Sequence, residues 1–369
     1  MSTILVTGGN GFVGRHLVTA LAARGDQVRV LALPGEDAGW LERRGVTVYR
    51  GDITQPDSLA APVRGADGVL HLAAMQDVWR PIEVYRAVNV GGTRNVAQAA
   101  LAAGARRFVH MSSSSVYGMG HGRPVDETFP LAPFRDPYPV TKAEADQAVQ
   151  EMTRRDGLPG VIVRPDQIFG PGDALHFGAM AERTRTGRCF LVGKGDNRMP
   201  FVYVDDVVRG LLLALDHHAA AGNAYNISCD RPFTQRQMLT AIAEDTGGSP
   251  PGPGVPYRAL YAAGYLAERL AGMLPSVSRP PVTRLGVAFF GTDNRYSIDK
   301  ARTELGYQPA VGLRDGVRTA AEWYLEHRRS ANRGDGANPG EGASRDDGRA
   351  DTAGPSAGAA RAATEGAVI

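Results

Sequence analysis

Tyr138 and Lys142 stand four residues apart in the run Tyr138-Pro139-Val140-Thr141-Lys142. On a helix that spacing puts a phenol and an ammonium on one face, about one turn apart. A tyrosine ordinarily loses its proton at a pH of about 10, but a nearby cation favours the phenolate. Such a pair can exchange a proton with a substrate alcohol or carbonyl close to neutral pH. The spacing is common by chance and gains weight from a second run, Met111-Ser112-Ser113-Ser114-Ser115-Val116-Tyr117-Gly118. That run follows an apolar strand candidate, at the edge where a parallel sheet presents its ligands, so a hydroxyl there can orient a substrate oxygen.

A second constellation lies near the N-terminus. Thr7-Gly8-Gly9-Asn10-Gly11-Phe12-Val13-Gly14 sits between the first strand candidate and the first helix candidate, the context in which a glycine fingerprint carries meaning. Gly8 permits a tight turn, Gly11 lets the backbone approach a pyrophosphate, and Gly14 allows close packing of helix on strand. The pyrophosphate then rests on the helix N-terminus, where free N–H groups and the dipole favour negative charge. An acidic residue at the end of the second strand would bind a ribose 2′-hydroxyl and an arginine would take a 2′-phosphate, yet Val30-Leu31-Ala32-Leu33 offers neither. NAD and NADP both remain open, with Arg29, Glu36 and Asp37 nearby as surface charges.

These residues need a frame to hold them. From Met1 to about Gly170 short β-branched runs alternate with alanine-rich stretches, the pattern of βαβ units in a parallel, doubly wound α/β sheet. The strand candidates are Ile4–Thr7, Val28–Leu33, Thr47–Arg50, Gly68–Ala73, Arg107–Ser112 and Gly160–Arg164. Val13–Arg24, Val90–Ala103 and Thr141–Arg155 read as helices, with Gly25 and Gly104 as stops. Beyond Gly170 glycine, proline and longer loops increase, and Gly247–Pro256 reads as a rigid connector. The expected organisation is a dinucleotide-binding domain over 1–170, a smaller α+β substrate domain over 171–330 interleaved with it, and a disordered tail over 331–369, where aromatic residues are absent.

Composition excludes several classes. The chain has 43% hydrophobic and 22% charged residues and a formal net charge of +2, too small a charge to imply a nucleic-acid partner. Cys189 and Cys229 are far apart and form no CxxC pair, so neither a disulfide framework nor a zinc site is indicated, and a cytoplasmic location is expected. His71, His110 and His176 lack ligand spacing and read as structural, with no metal required. No stretch reaches the roughly 18 apolar residues of a membrane span. Ala259–Leu274, interrupted by Glu268 and Arg269, reads as an amphipathic lid or substrate-domain helix.

The glycine spacing TGxxGxxG, Gly51-Asp52-Ile53, His71-Leu72-Ala73-Ala74, Asn89-Val90-Gly91-Gly92-Thr93 and Arg164-Pro165-Asp166-Gln167-Ile168-Phe169-Gly170-Pro171-Gly172-Asp173 together resemble the extended short-chain dehydrogenase/reductase superfamily. The resemblance covers roughly residues 3–328 and implies a Rossmann fold. It implies cofactor contacts at Gly8, Gly11, Phe12, Val13, Gly14, Asp52, Ile53, Leu72, Ala73, Ala74, Tyr138, Lys142, Pro165 and Ile168, for NAD or NADP. Among the serines it singles out Ser113, four residues ahead of Tyr117, with Ser114 as the alternative. It also implies a possible homodimer.

At branch level Tyr138–Ala145, Arg279–Arg284, Tyr296–Ala301 and Leu305–Pro309 look similar to the 3β-hydroxysteroid dehydrogenases. That branch implies an NAD(P)-dependent dehydrogenase or reductase acting on a hydrophobic hydroxy or keto small molecule, steroid-like or 3-oxo acyl-like. The alternative is a nucleotide-sugar epimerase or dehydratase that retains NAD. Gln167 in place of an asparagine, and the lack of an arginine within Met199–Asp206, depart from the diphosphate contacts of that alternative, while Arg198, one residue from the expected register, keeps it open.

Overall fold

Seven short apolar runs pair in parallel to form the central sheet: β1 (Thr3–Thr7), β2 (Gln27–Ala32), β3 (Thr47–Arg50), β4 (Gly68–His71), β5 (Arg107–Met111), β6 (Gly160–Pro165) and β7 (Ala224–Ile227). The computed structural model describes residues 1–76, 78–273 and 280–333. The strand order is β7-β6-β5-β4-β1-β2-β3. Winding runs outward from β1 through β2 to β3, then returns past β1 to β4 and onward, so it reverses between β1 and β4. The first six strands match the expected ones to within two residues. The seventh was not anticipated, and it comes from the second half of the chain, which re-enters the sheet beside β6.

Alternation along the strands divides the core into two layers. Ile4, Val6, Leu70, Val109, Val161 and Val163 face one layer, with residues of α1 (Phe12–Ala23) and of the helix Val204–Asp216. Leu5, Val69, Phe108 and Ile162 face the other, against α2 (Thr93–Ala102) and α3 (Pro137–Arg155). Burying each such side chain contributes about 1.5–3 kcal/mol. The strands are apolar on both faces because helices cover both.

The expected stops hold. Gly25 N–H bonds to Ala22 O and Asp26 N–H to Leu21 O, and Gly104 and Ala105 repeat the pattern on Leu101 and Ala100, closing α1 and α2 with Schellman motifs.

Three boundaries differ from expectation. The helix carrying the Tyr-Lys pair begins at Pro137, four residues before Thr141, because the Asp136 carboxylate accepts the Tyr138 N–H and Pro137 occupies the first helical position. Tyr138 therefore sits in the first turn. A π-helical segment, Arg86–Gly92, leads into α2. Part of the expected connector is a strand, since Gly252–Val255 pairs in parallel with Phe190–Val192. Its glycines hide the strand signal and permit the approach, because a Cβ on Gly254 would lie 1.9 Å from Gly193 O.

The second half adds α4 (Val204–Asp216), α5 (Tyr257–Met273), α6 (Arg284–Gly291) and a last helix, Leu313–Arg333. That last helix runs three residues past the expected end of structure at 330. Residues 334–369, expected to be a disordered tail, lie outside the described residues. Among the described residues no helix is long and apolar enough to cross a membrane.

Candidate active site

The loops after β1 and β4 meet where the winding reverses, the place where a doubly wound sheet opens a crevice for ligands. Gly8 has φ of +71°, and a Cβ there would lie 2.8 Å from Ala73 N, so both its conformation and its contact require glycine. A Cβ on Gly14 would come within 2.1 Å of Gly8 O, so the helix packs against the turn through bare backbone. Gly11, the residue capping α1, faces open space apart from Gly8 O at 3.3 Å. No side chain caps this helix end, which leaves first-turn N–H groups without intrahelical partners. Phe12 is half-buried beside Gly172, whereas the Val13 side chain belongs to the core and leaves only its backbone to face a ligand.

The neighbouring loops are fixed by a buried relay. Ala73 N–H donates to Thr7 Oγ1, which lies 2.7 Å from His71 Nδ1; His71 Nε2 lies 2.9 Å from Thr93 Oγ1, and Thr93 donates to Asn89 O. Burial pushes the His71 imidazole down to about 3, with the Lys142 cation adding to the effect, so the ring is neutral. Its role is structural, as expected. Asn89 closes the relay by holding both backbone groups of Met75 and donating to Thr141 Oγ1. Leu72 is buried and donates its N–H to Thr7 O, while Ala74 is half-buried. Asp52 accepts the Thr54 N–H, and Ile53 packs where a Cβ on Gly92 would lie 2.5 Å away.

Lys142 is buried and donates from Nζ to Met111 O at 2.6 Å, its only hydrogen-bond partner among the described residues. This bond ties α3 to the end of β5 and so brings the Tyr-Lys face beside the serine run. Burial lowers the Lys142 ammonium to about 8, against the opposing pull of Asp146. It leaves the group charged at neutral pH. Tyr138 is half-buried and lines a cavity of about 460 Å³ together with Val78, Trp79, Ile82, Phe134 and Tyr265. Helix α5, anticipated as a lid or substrate-domain helix, supplies one wall.

The four serines differ in surroundings, and the Ser115 Oγ is buried with no hydrogen-bond partner among the described residues. Ser112 Oγ donates to Asp146, and Ser114 is buried against Asp166 and Tyr296. Among the described residues the Ser113 hydroxyl accepts only the Ser115 N–H, at 3.2 Å, and the residue is half-buried. Pro165 ends β6, and Ile168 lies just beyond it in a short strand, Gln167–Phe169.

Sequence reasoning missed the network behind these groups. Asp146 receives Ser112 Oγ and two bonds from Arg164, whose remaining nitrogen donates to Tyr117 OH; Tyr117 donates in turn to Asn226. Both ends of the Asp146–Arg164 pair are almost wholly buried. Asp146 follows Lys142 by one helical turn, and that spacing was the available signal.

The model of the NAD dependent epimerase/dehydratase family matches residues 4–228. The chain is 35% identical over 324 residues to a 2-alkyl-3-oxoalkanoate reductase of Stenotrophomonas maltophilia, covering 85% of this chain and 97% of that protein. It is 33% identical over 349 residues to a 3 beta-hydroxysteroid dehydrogenase/Delta 5-->4-isomerase of Mycobacterium tuberculosis, covering 88% and 91%. Among solved structures it is similar to a short-chain dehydrogenase/reductase superfamily protein of Agrobacterium tumefaciens with bound NAD, at TM-score 0.68 and 26% identity over 90% of this chain and 99% of that one.

Proposed function

This chain belongs to the NAD dependent epimerase/dehydratase family, and from that premise we propose that it is an NAD(P)-dependent oxidoreductase interconverting a secondary alcohol and a ketone on a hydrophobic substrate. The observation that carries the proposal is the cavity on Tyr138, walled by Val78, Trp79, Ile82, Phe134 and Tyr265. Its apolar wall, converging on the Tyr138 phenol, suits a greasy ketone, while charged side chains complete the lining. The names of the reductase and the steroid dehydrogenase relatives agree with this class.

The crevice between β1 and β4 fits a dinucleotide. Gly8 and Gly14 have no room for a Cβ, and the space above Gly11 is open. We assign the first-turn N–H groups at Phe12, Val13 and Gly14 to the pyrophosphate, Asp52 and Ile53 to the adenine side, the backbone at Leu72, Ala73 and Ala74 to the wall, and Pro165 and Ile168 to the nicotinamide side. When bound, the nicotinamide supplies the hydride donor or acceptor. Lys142 has two N–H donors beyond the one on Met111 O, and these are suited to ribose hydroxyls while the ammonium stabilises the Tyr138 phenolate. Tyr138 gives its proton to the carbonyl oxygen in reduction and takes one from the alcohol in oxidation. Ser113, half-buried and not paired with a carboxylate as Ser112 and Ser114 are, donates to the same oxygen; the Ser115 hydroxyl is buried.

The family's description also offers a nucleotide-sugar reaction. Against it, the Arg198 guanidinium donates to Pro232 O and does not line the Tyr138 cavity. The test is reduced-nicotinamide absorbance with NADH and NADPH against keto-steroids, 3-oxo acyl compounds and UDP- or dTDP-sugars. Net oxidation with a keto substrate is expected. Conversion of a sugar nucleotide without net oxidation would replace the proposal by the epimerase or dehydratase alternative.

A further inference from the structure

The cavity on Tyr138 has a second chemical character besides its apolar wall. Four arginines from four separate segments line it: Arg80 after β4, Arg135 just ahead of α3, Arg269 on α5 and Arg284 at the start of α6. Two carboxylates line it as well, and both are committed. Glu268 accepts the Arg284 N–H at 2.7 Å and its Nε at 2.5 Å, and Asp136 caps α3 by accepting the Tyr138 N–H. Arg135 and Arg269 have no hydrogen bond or ion pair among the described residues, and both side chains are exposed at the mouth. One lies three residues from Tyr138, and the other is on the helix that forms the far wall.

Scattered surface arginines say little. Convergence of four on one cleft lined by two acids among the described residues gives the opening a positive balance, which low-dielectric walls concentrate. The same mouth exposes apolar surface at Trp79 and Tyr265, 39% and 49% accessible. A ligand matching both features has an apolar body and an anionic head.

We infer that Arg135 and Arg269 form an anion-binding subsite at the mouth of the Tyr138 cavity, and that the substrate is a carboxylate-bearing amphiphile, a long-chain 3-oxo acid rather than a neutral steroid. The inference rests on the oxidoreductase proposal and deepens it. The apolar chain lies along Trp79, Ile82 and Phe134, the keto group reaches Tyr138, and the carboxylate stays at the rim, where the guanidinium groups meet it without being fully desolvated.

The experiment compares a long-chain 3-oxo acid with its methyl ester, identical except for the charge, using reduced nicotinamide and the full chain. The acid is expected to have the higher kcat/KM by roughly tenfold at low ionic strength, the difference residing in KM. Raising salt is expected to shrink that preference. In an Arg135→Gln/Arg269→Gln double variant the acid-to-ester ratio is expected to fall towards one, whereas Arg135→Lys/Arg269→Lys retains most of it. Binding of decanoate against decan-1-ol by calorimetry, which needs no turnover, is expected to follow the same order.

Equal kcat/KM for acid and ester in the wild type, or a ratio unchanged in the double glutamine variant, overturns the subsite while leaving the oxidoreductase proposal standing. A dTDP- or UDP-sugar converted through the same arginines, with no keto compound oxidising the cofactor, overturns both, since the anion would then be a diphosphate.

Discussion

Tyr138 is half-buried and lines the cavity, and Lys142 lies one turn along the same helix, anchored to Met111 O. Replacing Tyr138 by Phe removes the proton donor and keeps the ring. Turnover is expected to fall by roughly 10²–10⁴-fold, with the Kd for reduced cofactor within a few-fold of wild type by fluorescence titration. Retained turnover would refute the assigned role. At the end of β2 the local charges now have partners: Arg29 donates to Pro62 O and Arg64 O, Asp37 accepts the Gly39 N–H, and Glu36 turns back to accept the Leu33 N–H at 3.0 Å. A carboxylate on Leu33 repels a 2′-phosphate. Glu36→Ala is therefore expected to improve NADPH binding several-fold relative to NADH, measured by titrating both.

Asp166 gives a pH-dependent prediction at the same scale. Burial raises its carboxyl to about 7, against opposing hydrogen bonds from Ser228 and Ser114, whereas in the unfolded chain it titrates at about 3.9. The folded state binds the extra proton between these values. The group's contribution to stability is fully present below about pH 4 and is lost as pH rises through about 7. Asp166→Asn, which keeps a neutral acceptor for Ser228, is expected to gain in Tm relative to wild type as pH goes from 5 to 8. A Tm difference that stays constant across that range would refute the assignment.

Elements are held in register by contacts that cross between them. The Arg164–Asp146 pair joins β6 to α3, and Ser112 ties the end of β5 into it. Removing one partner leaves a buried charge without compensation, a loss of about 3–5 kcal/mol. Arg164→Met and Asp146→Leu are each expected to destabilise by that order in denaturant unfolding, and the double variant by clearly less than their sum. Additive losses would mean that the two groups do not act as a pair. The π-helical segment Arg86–Gly92 is a second such joint, since its extra turn width places Asn89 against Met75 and Thr141 at once.

At the scale of the whole molecule the candidate substrate cavity is built by both halves of the chain. Val78, Trp79, Phe134 and Tyr138 come from the first half, and Tyr265, Glu268, Arg284 and Leu285 from the second. Glu268 locks α5 to α6 through two bonds to Arg284, whose guanidinium lies 5.2 Å from the centre of the Tyr265 ring. Glu268→Ala is expected to loosen that wall and raise KM for a bulky ketone several-fold with a smaller change in kcat, by steady-state kinetics. An unchanged KM would mean that the wall does not depend on this contact.

The sequence alone determined what short-range geometry can encode. Six of the seven strands, the Schellman stops at Gly25 and Gly104 and the glycine turn follow from two-residue alternation, helix-stop chemistry and the φ that Gly8 adopts. The one-turn spacing of Tyr138 and Lys142 is likewise local. Only the tertiary structure separated the serines, because Ser112 and Ser114 are claimed by Asp146 and Asp166, partners 34 and 52 positions away whose approach depends on the packing of α3 and β6, and the Ser115 hydroxyl is buried. It also decided that Arg164, legible as a motif residue, is a buried clamp, and that Tyr117 pairs with Asn226 across 109 residues. β7 stayed hidden because its four residues gain stability only once β6 offers them an edge. The arginine rim stayed hidden for the same reason: its members are far apart in sequence, and chain closure alone brings them to one opening.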